Sequence, residues 1–295
     1  MSYRAFERLT RAARGTELWR LALGVVLAGL VTFGLGQALM ALAAGLMSPE
    51  DYWRFATEIN RAETPSGLLI LLATSGAMGV GAVVAAQVLH HRGAASLVGP
   101  GRLALEQGLR VALWVGALYA VVSALPPWPL AGQLERGMPP VTWIALLPLT
   151  LAVLLIQTGS EELFFRGYLQ SQLGARLRHP AAWLILPSAL FALGHYAPGH
   201  YGSNAPLVVL WAFLFGLAAS DLTARAGTLG PAVALHLVNN LAAVAVVAPQ
   251  GPMSGLALYL LPFGPGDEAA LRALLPAELA MLGLGWLTAR IAIRA

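Results

Sequence analysis

Stretches of about 20 apolar residues, the length a helix needs to cross the hydrocarbon of a bilayer, recur eight times along this chain. They fall near 21–47, 67–89, 110–125, 141–165, 181–196, 206–222, 229–247 and 276–293. Between them lie Thr64-Pro65-Ser66-Gly67, Gly99-Pro100-Gly101, Pro126-Pro127 and Gly264-Pro265-Gly266, the residue types that break helices and make turns. The stretch 255–263 is too short to span and is expected at the interface. Only 11% of the 295 residues are charged and 58% are hydrophobic, against roughly a quarter charged in soluble domains. Too little polar surface remains to coat a soluble fold. The expectation is an all-α polytopic membrane bundle of about eight transmembrane helices, with 1–295 forming one membrane domain.

Arg4, Arg8, Arg11 and Arg14 precede the first run, as in a signal peptide, but the run exceeds a typical signal core and reads as a retained span. Arg92, Arg102, Arg176, Arg178, Arg225, Arg290 and Arg294 fall on the same side as that basic tail, while Arg54, Arg61 and Arg136 fall on the other. Cytoplasmic loops carry the Arg excess, so both termini are expected inside. Trp19, Trp143, Trp183 and Trp286 lie near span ends, where aromatic belts form, although a Trp also packs within a bundle. The net charge of +4 comes from scattered Arg with no basic, aromatic-interleaved stripe, so no nucleic-acid partner is expected. The chain has no Cys, which removes disulfides, thiolate nucleophiles and Cys-based metal sites.

Charge at bilayer depth costs on the order of 2.5–3.5 kcal/mol on insertion scales, so the polar residues inside these runs point to function. The first group is Glu161-Glu162-Leu163-Phe164-Phe165-Arg166. Glu162 and Arg166 share a helix face and favour an ion pair, which leaves Glu161, about 100° round the helix, free for other work. The second is Phe191-Ala192-Leu193-Gly194-His195, whose imidazole in apolar surroundings favours the neutral, proton-accepting form. His200 reads as merely solvated. The third is His236-Leu237-Val238-Asn239-Asn240. His236 and Asn240 lie one turn apart and are both donors suited to a developing oxyanion, while Asn239 is turned toward a helix–helix hydrogen bond. Together these supply a base and oxyanion donors but no hydroxyl or thiol nucleophile, which suits attack of activated water on a carbonyl.

In that order the motifs Glu-Glu-x-x-x-Arg, Phe-x-x-x-His and His-x-x-x-Asn resemble those of the CPBP family, the CAAX-protease and bacteriocin-processing (Abi-like) intramembrane proteases. The likeness spans about 141–248, the catalytic core helices. It implies an intramembrane endopeptidase of the bacterial cytoplasmic membrane, acting on a membrane-associated protein or peptide without a cofactor. It further implies Glu161 and His195 as activators of water, His236 and Asn240 as the oxyanion hole, and Glu162 with Arg166 as the supporting pair. Glu161 reaches the depth of His195 if the helix continues past Arg166 or if the fifth run starts outside the bilayer; the amphipathic stretch 167–178 leads to the first expectation.

Three other readings compete. Glu161 or Glu162 with His195 and His236 would make three zinc ligands, although the chain lacks His-Glu-x-x-His. Buried Glu, Arg and His also build proton-coupled transporters, which often show inverted repeats not visible here. A non-enzymatic immunity or binding protein is the third. A serine protease is disfavoured because Ser160 has no base partner in the sequence.

Overall fold

A computed structural model describes residues 3–15, 17–125 and 130–294; the expected turn at Pro126-Pro127 lies outside these. Every predicted apolar run is helical. The helices are α1 Leu18–Leu46, α2 Pro65–His90, α3 Gly101–Ala124, α4 Pro140–Gly174, α5 Pro180–Leu193, α6 Pro198–Ala226, α7 Gly230–Val246 and α8 Glu268–Ala292. Six are long and apolar enough to cross a membrane, whereas α5 and α7 are shorter. Of the eight helices expected to span, six reach spanning length among the described residues. The physical reason lies in two helix ends: α5 stops at Leu193, before Gly194, and the regular turns of α7 give way to wider π turns after Asn240.

Leu23, Val26, Leu30 and Phe33 of α1 are exposed, an apolar face suited to lipid and unsuited to water. Inside the bundle, lipid-like interiors give helices no hydrophobic drive to associate, so small residues allow close contact. A Cβ at Gly230 would collide with the backbone of Ala104, and one at Gly216 with Ser188; these positions bring α7 against α3 and α6 against α5. The central core gathers Val111, Phe165, Phe191, Phe215, Leu235 and Leu282 from α3 to α8.

At one end of the bundle the segment before α1 is tied to distant loops. Arg8 donates to the Ala226 carbonyl, and Tyr3 Oη donates to Asp221 at 2.9 Å. Asp221 also accepts from Arg225 at 2.8 Å and from Trp286 Nε1 at 3.0 Å. Arg92, almost fully buried, donates to Ser171 Oγ and to the carbonyls of Leu9 and Ser96. Burial lowers its pKa to about 10, which leaves it a cation at neutral pH. The segments expected on the Arg-rich side therefore meet at one end. Asp221→Asn is expected to weaken this junction by about 1–3 kcal/mol, the cost of a damaged buried hydrogen-bond set. Faster trypsin release of the segment before α1, with the rest of the chain intact, checks it; an unchanged rate counts against the junction.

The opposite end holds three two-residue strands, β1 Glu135–Arg136, β2 Val247–Ala248 and β3 Tyr259–Leu260, in the order β1-β3-β2. Glu135 pairs with Leu260 antiparallel, and Val247 with Tyr259 parallel. The pairing satisfies backbone groups in the non-helical stretch 255–263, a device the all-α expectation did not include. Of the four tryptophans placed in belts, Trp19 is exposed, while Trp143 donates to the Ala245 carbonyl and Trp183 is buried against Tyr3 and Phe6. With Trp286 on Asp221, three of them serve packing.

Candidate active site

α4 carries the acids. It runs as a regular helix to Glu162, opens into eight residues of π-helix, Leu163–Gln170, and continues to Gly174. The helix thus extends past Arg166 as expected, and π turns of this kind often mark functional sites. Glu162 and Arg166 form the expected ion pair at 3.0 Å, with both side chains fully buried. Arg166 also donates to the Gly216 carbonyl on α6 at 3.1 Å and lies 4.8 Å from the Phe191 ring centre. Two bonds and an aromatic face offset the cost of burying the guanidinium.

α7 runs beside α4 and presents two side chains to it. His236 Nδ1 lies 2.8 Å from Glu162 Oε1, so this nitrogen carries a proton and donates it to the carboxylate. Its other nitrogen, Nε2, lies 3.7 Å from Glu161 Oε2. One turn on, Asn240 Nδ2 donates to Gln157 Oε1 at 3.0 Å, and Gln157 Nε2 donates to Glu161 Oε1 at 2.6 Å. Glu161 Oε2 accepts no hydrogen bond from any described residue. Asn239 is turned away and accepts from Tyr119 Oη on α3 at 3.0 Å, the helix–helix bond expected of it.

His195 lies just beyond the end of α5. The last carbonyls of a helix lack intrahelical partners. His195 Nδ1 donates to one of them, Phe191 O, at 2.9 Å, and its ring packs on Phe191 with centres 4.6 Å apart. That bond fixes the proton on Nδ1 and leaves Nε2 as the lone-pair nitrogen of the neutral ring. The Phe-x-x-x-His spacing is thereby explained as a helix cap. Phe191 also meets the His236 ring at 6.0 Å, so one phenyl ring touches both imidazoles. The structure joins Glu161, Glu162, Arg166, His236 and Asn240 in one network. His195 adjoins it through Phe191, and no hydrogen bond links it to Glu161 among the described residues. His200 is exposed, as expected.

Two polar residues escaped the sequence reading. Gln157 stands one helical turn before Glu161, a spacing that could have marked it. Glu278, in the last apolar run, lines a cavity of about 260 Å³ together with Leu207, Trp211, Leu274 and Leu275. Trp211 stacks on Phe215 at 5.5 Å, and Phe215 meets His236 at 4.8 Å, so the cavity wall backs onto the network. No group of three or more His, Asp or Glu side chains among the described residues is arranged to hold a metal ion. Glu162 Oε1 is already taken by Arg166 and His236. The zinc ligand set does not fit.

Residues 143–242 match the family model described as type II CAAX prenyl endopeptidase Rce1-like. An uncharacterized protein of Bacillus subtilis (strain 168), YyaK, is 29% identical over 99 residues, covering 34% of this chain and 33% of that protein. The chain's match thus spans about a third of the length of this curated relative. No solved structure matches. The matched segment contains Glu161, Arg166, His195, His236 and Asn240, the residues through which this chain resembles the CPBP family of CAAX-protease-like membrane proteins.

Proposed function

We propose that this protein is an intramembrane endopeptidase that hydrolyses a peptide bond of a membrane-associated protein or peptide with water activated by Glu161. The observation that carries this reading is Glu161 itself: Gln157 holds Oε1, while Oε2 faces His236 Nε2 at 3.7 Å. Glu161 Oε2 takes a proton from water as the water oxygen attacks the carbonyl carbon, with the lone pair of His195 Nε2 accepting a second hydrogen bond from that water. Electrons displaced onto the carbonyl oxygen are met by the free N–H of Asn240 and by His236 Nε2–H. Because Nδ1–H is already given to Glu162, a donor at Nε2 requires that the ring carry a proton on each nitrogen. Collapse of the tetrahedral intermediate breaks the C–N bond, and the departing amine takes the proton from Glu161. Glu162, held by Arg166, keeps the imidazole in place.

A second assignment is favoured by the contacts, which join Glu161 to His236 and not to His195. In it His236, oriented by Glu162, shares the work of base with Glu161. His236→Gln separates the two, since an amide donates but is no base. Partial turnover supports the oxyanion role, and none supports the base role.

The zinc alternative predicts loss of turnover on chelation. Turnover of a fluorescence-quenched farnesylated Cys-aliphatic-aliphatic-X peptide is expected to survive exhaustive chelation. Loss that zinc alone restores would overturn the metal-free mechanism. We further propose that α5 and α7 complete eight crossings within the bundle and that both termini face the cytoplasm of a bacterial cell, on the Arg-rich end.

A further inference from the structure

We propose that Gln157 is a positioning residue for this reaction, one that sets the direction of both the Glu161 carboxylate and the Asn240 amide. The proposal rests on the peptidase reading above. Gln157 is 8% exposed and lies on α4 between the two groups it holds. Glu161, when ionised, can only accept, so the end of Gln157 facing it must be the NH₂. The carbonyl end of Gln157 then faces Asn240, which must answer with its own NH₂, as the 2.6 and 3.0 Å contacts have it. Asn240 Oδ1 is thereby turned toward Asn239 Nδ2 at 3.4 Å, and Asn239 Oδ1 toward the Tyr119 hydroxyl at 3.0 Å. One carboxylate thus polarises three amides and a phenol in a single sense, across α4, α7 and α3.

Direction matters because an oxyanion hole needs N–H groups. An Asn240 amide turned over would offer its oxygen to a developing negative charge and oppose it. Without Gln157, nothing in the chain from Tyr119 fixes that choice. Glu161 would also lose the bond that commits Oε1 and leaves Oε2 facing His236. The groups bonded to Gln157 are Glu161 on its own helix and Asn240 on α7; the other charged or titratable members of the network, Glu162, Arg166 and His236, lie beyond Glu161.

The test uses the full chain in lipid nanodiscs, the farnesylated reporter peptide as probe, and two variants with Glu161→Gln as control. Gln157→Met keeps the volume and removes both bonds; its kcat is expected to fall about 100-fold, the scale of an ångström-level misplacement, with KM within about twofold. Gln157→Glu supplies the sharper readout. Protonated, the new acid donates to Glu161 and still accepts from Asn240; ionised, it repels Glu161. Its activity is therefore expected to recover at acid pH relative to wild type, whereas a residue needed only for packing would give a loss parallel at every pH. A Gln157→Met kcat within threefold of wild type, or a Gln157→Glu profile parallel to wild type, overturns the positioning role and leaves the peptidase reading intact. Failure of the wild type to cleave the probe, or undiminished cleavage by Glu161→Gln, overturns the peptidase reading and this role with it.

Discussion

Glu161→Gln is expected to lower kcat on the reporter peptide by about 1,000-fold, within the range general-base catalysis supplies, while the protein folds as well as wild type. The substitution preserves shape and leaves an amide oxygen able to accept from Gln157 Nε2, so the 2.6 Å contact persists. What disappears is the basic oxygen opposite His236. Glu161 is not in the Arg166 ion pair, so neutralising it strands no cation. Turnover and melting temperature in the same detergent decide the matter. A residual rate within tenfold of wild type would remove Glu161 from the role of base, and a melting temperature several degrees lower would mean the carboxylate is structural.

Arg166→Ala should behave in the opposite sense. It leaves Glu162 fully buried with only His236 as a partner and the Gly216 carbonyl without its donor. Removing one member of a buried pair typically costs about 3–5 kcal/mol, because the remaining charge cannot regain water. A marked fall in the monodisperse, folded fraction is therefore expected, together with loss of activity. Arg166→Lys should rescue only in part, since an ammonium lacks the planar fork that reaches both Glu162 and Gly216. Pairing Glu162→Gln with Arg166→Met removes both charges and should restore most of the folded yield. Equal yields for Arg166→Ala and Glu161→Gln would contradict the division of labour between the two adjacent acids.

The parts of the structure that depend on apolar run length and on i, i+4 spacing were legible in the sequence. All eight runs are helical, the Glu162–Arg166 pair forms, and Asn239 bonds to a neighbouring helix. Contacts between distant segments were not legible. Gln157 passed as an ordinary polar residue in an apolar run because its meaning depends on which helix lies opposite. The link of His236 to both acids, rather than of His195 to Glu161, depends on how α7 packs on α4, and periodicity carries no information about that packing. His195 was expected inside a helix running to about 196; Gly194 ends α5 early and turns the imidazole into a cap. The paired strands at 135–136, 247–248 and 259–260 are two residues each, too short for alternation to show.

The π-helical stretch 163–170 makes the distance between the acids and the Arg92-anchored turn at Ser171 a counted quantity. Deleting one residue there would change composition hardly at all, but with the π turns kept it would rotate everything downstream by roughly a quarter turn relative to Glu161 and Glu162. Ser171 would leave Arg92, and Gln170 would lose the Ser220 carbonyl it now meets at 2.9 Å. Substitutions in this stretch are a question of fit, but insertions and deletions are a question of phase, and for this protein phase is the stricter of the two.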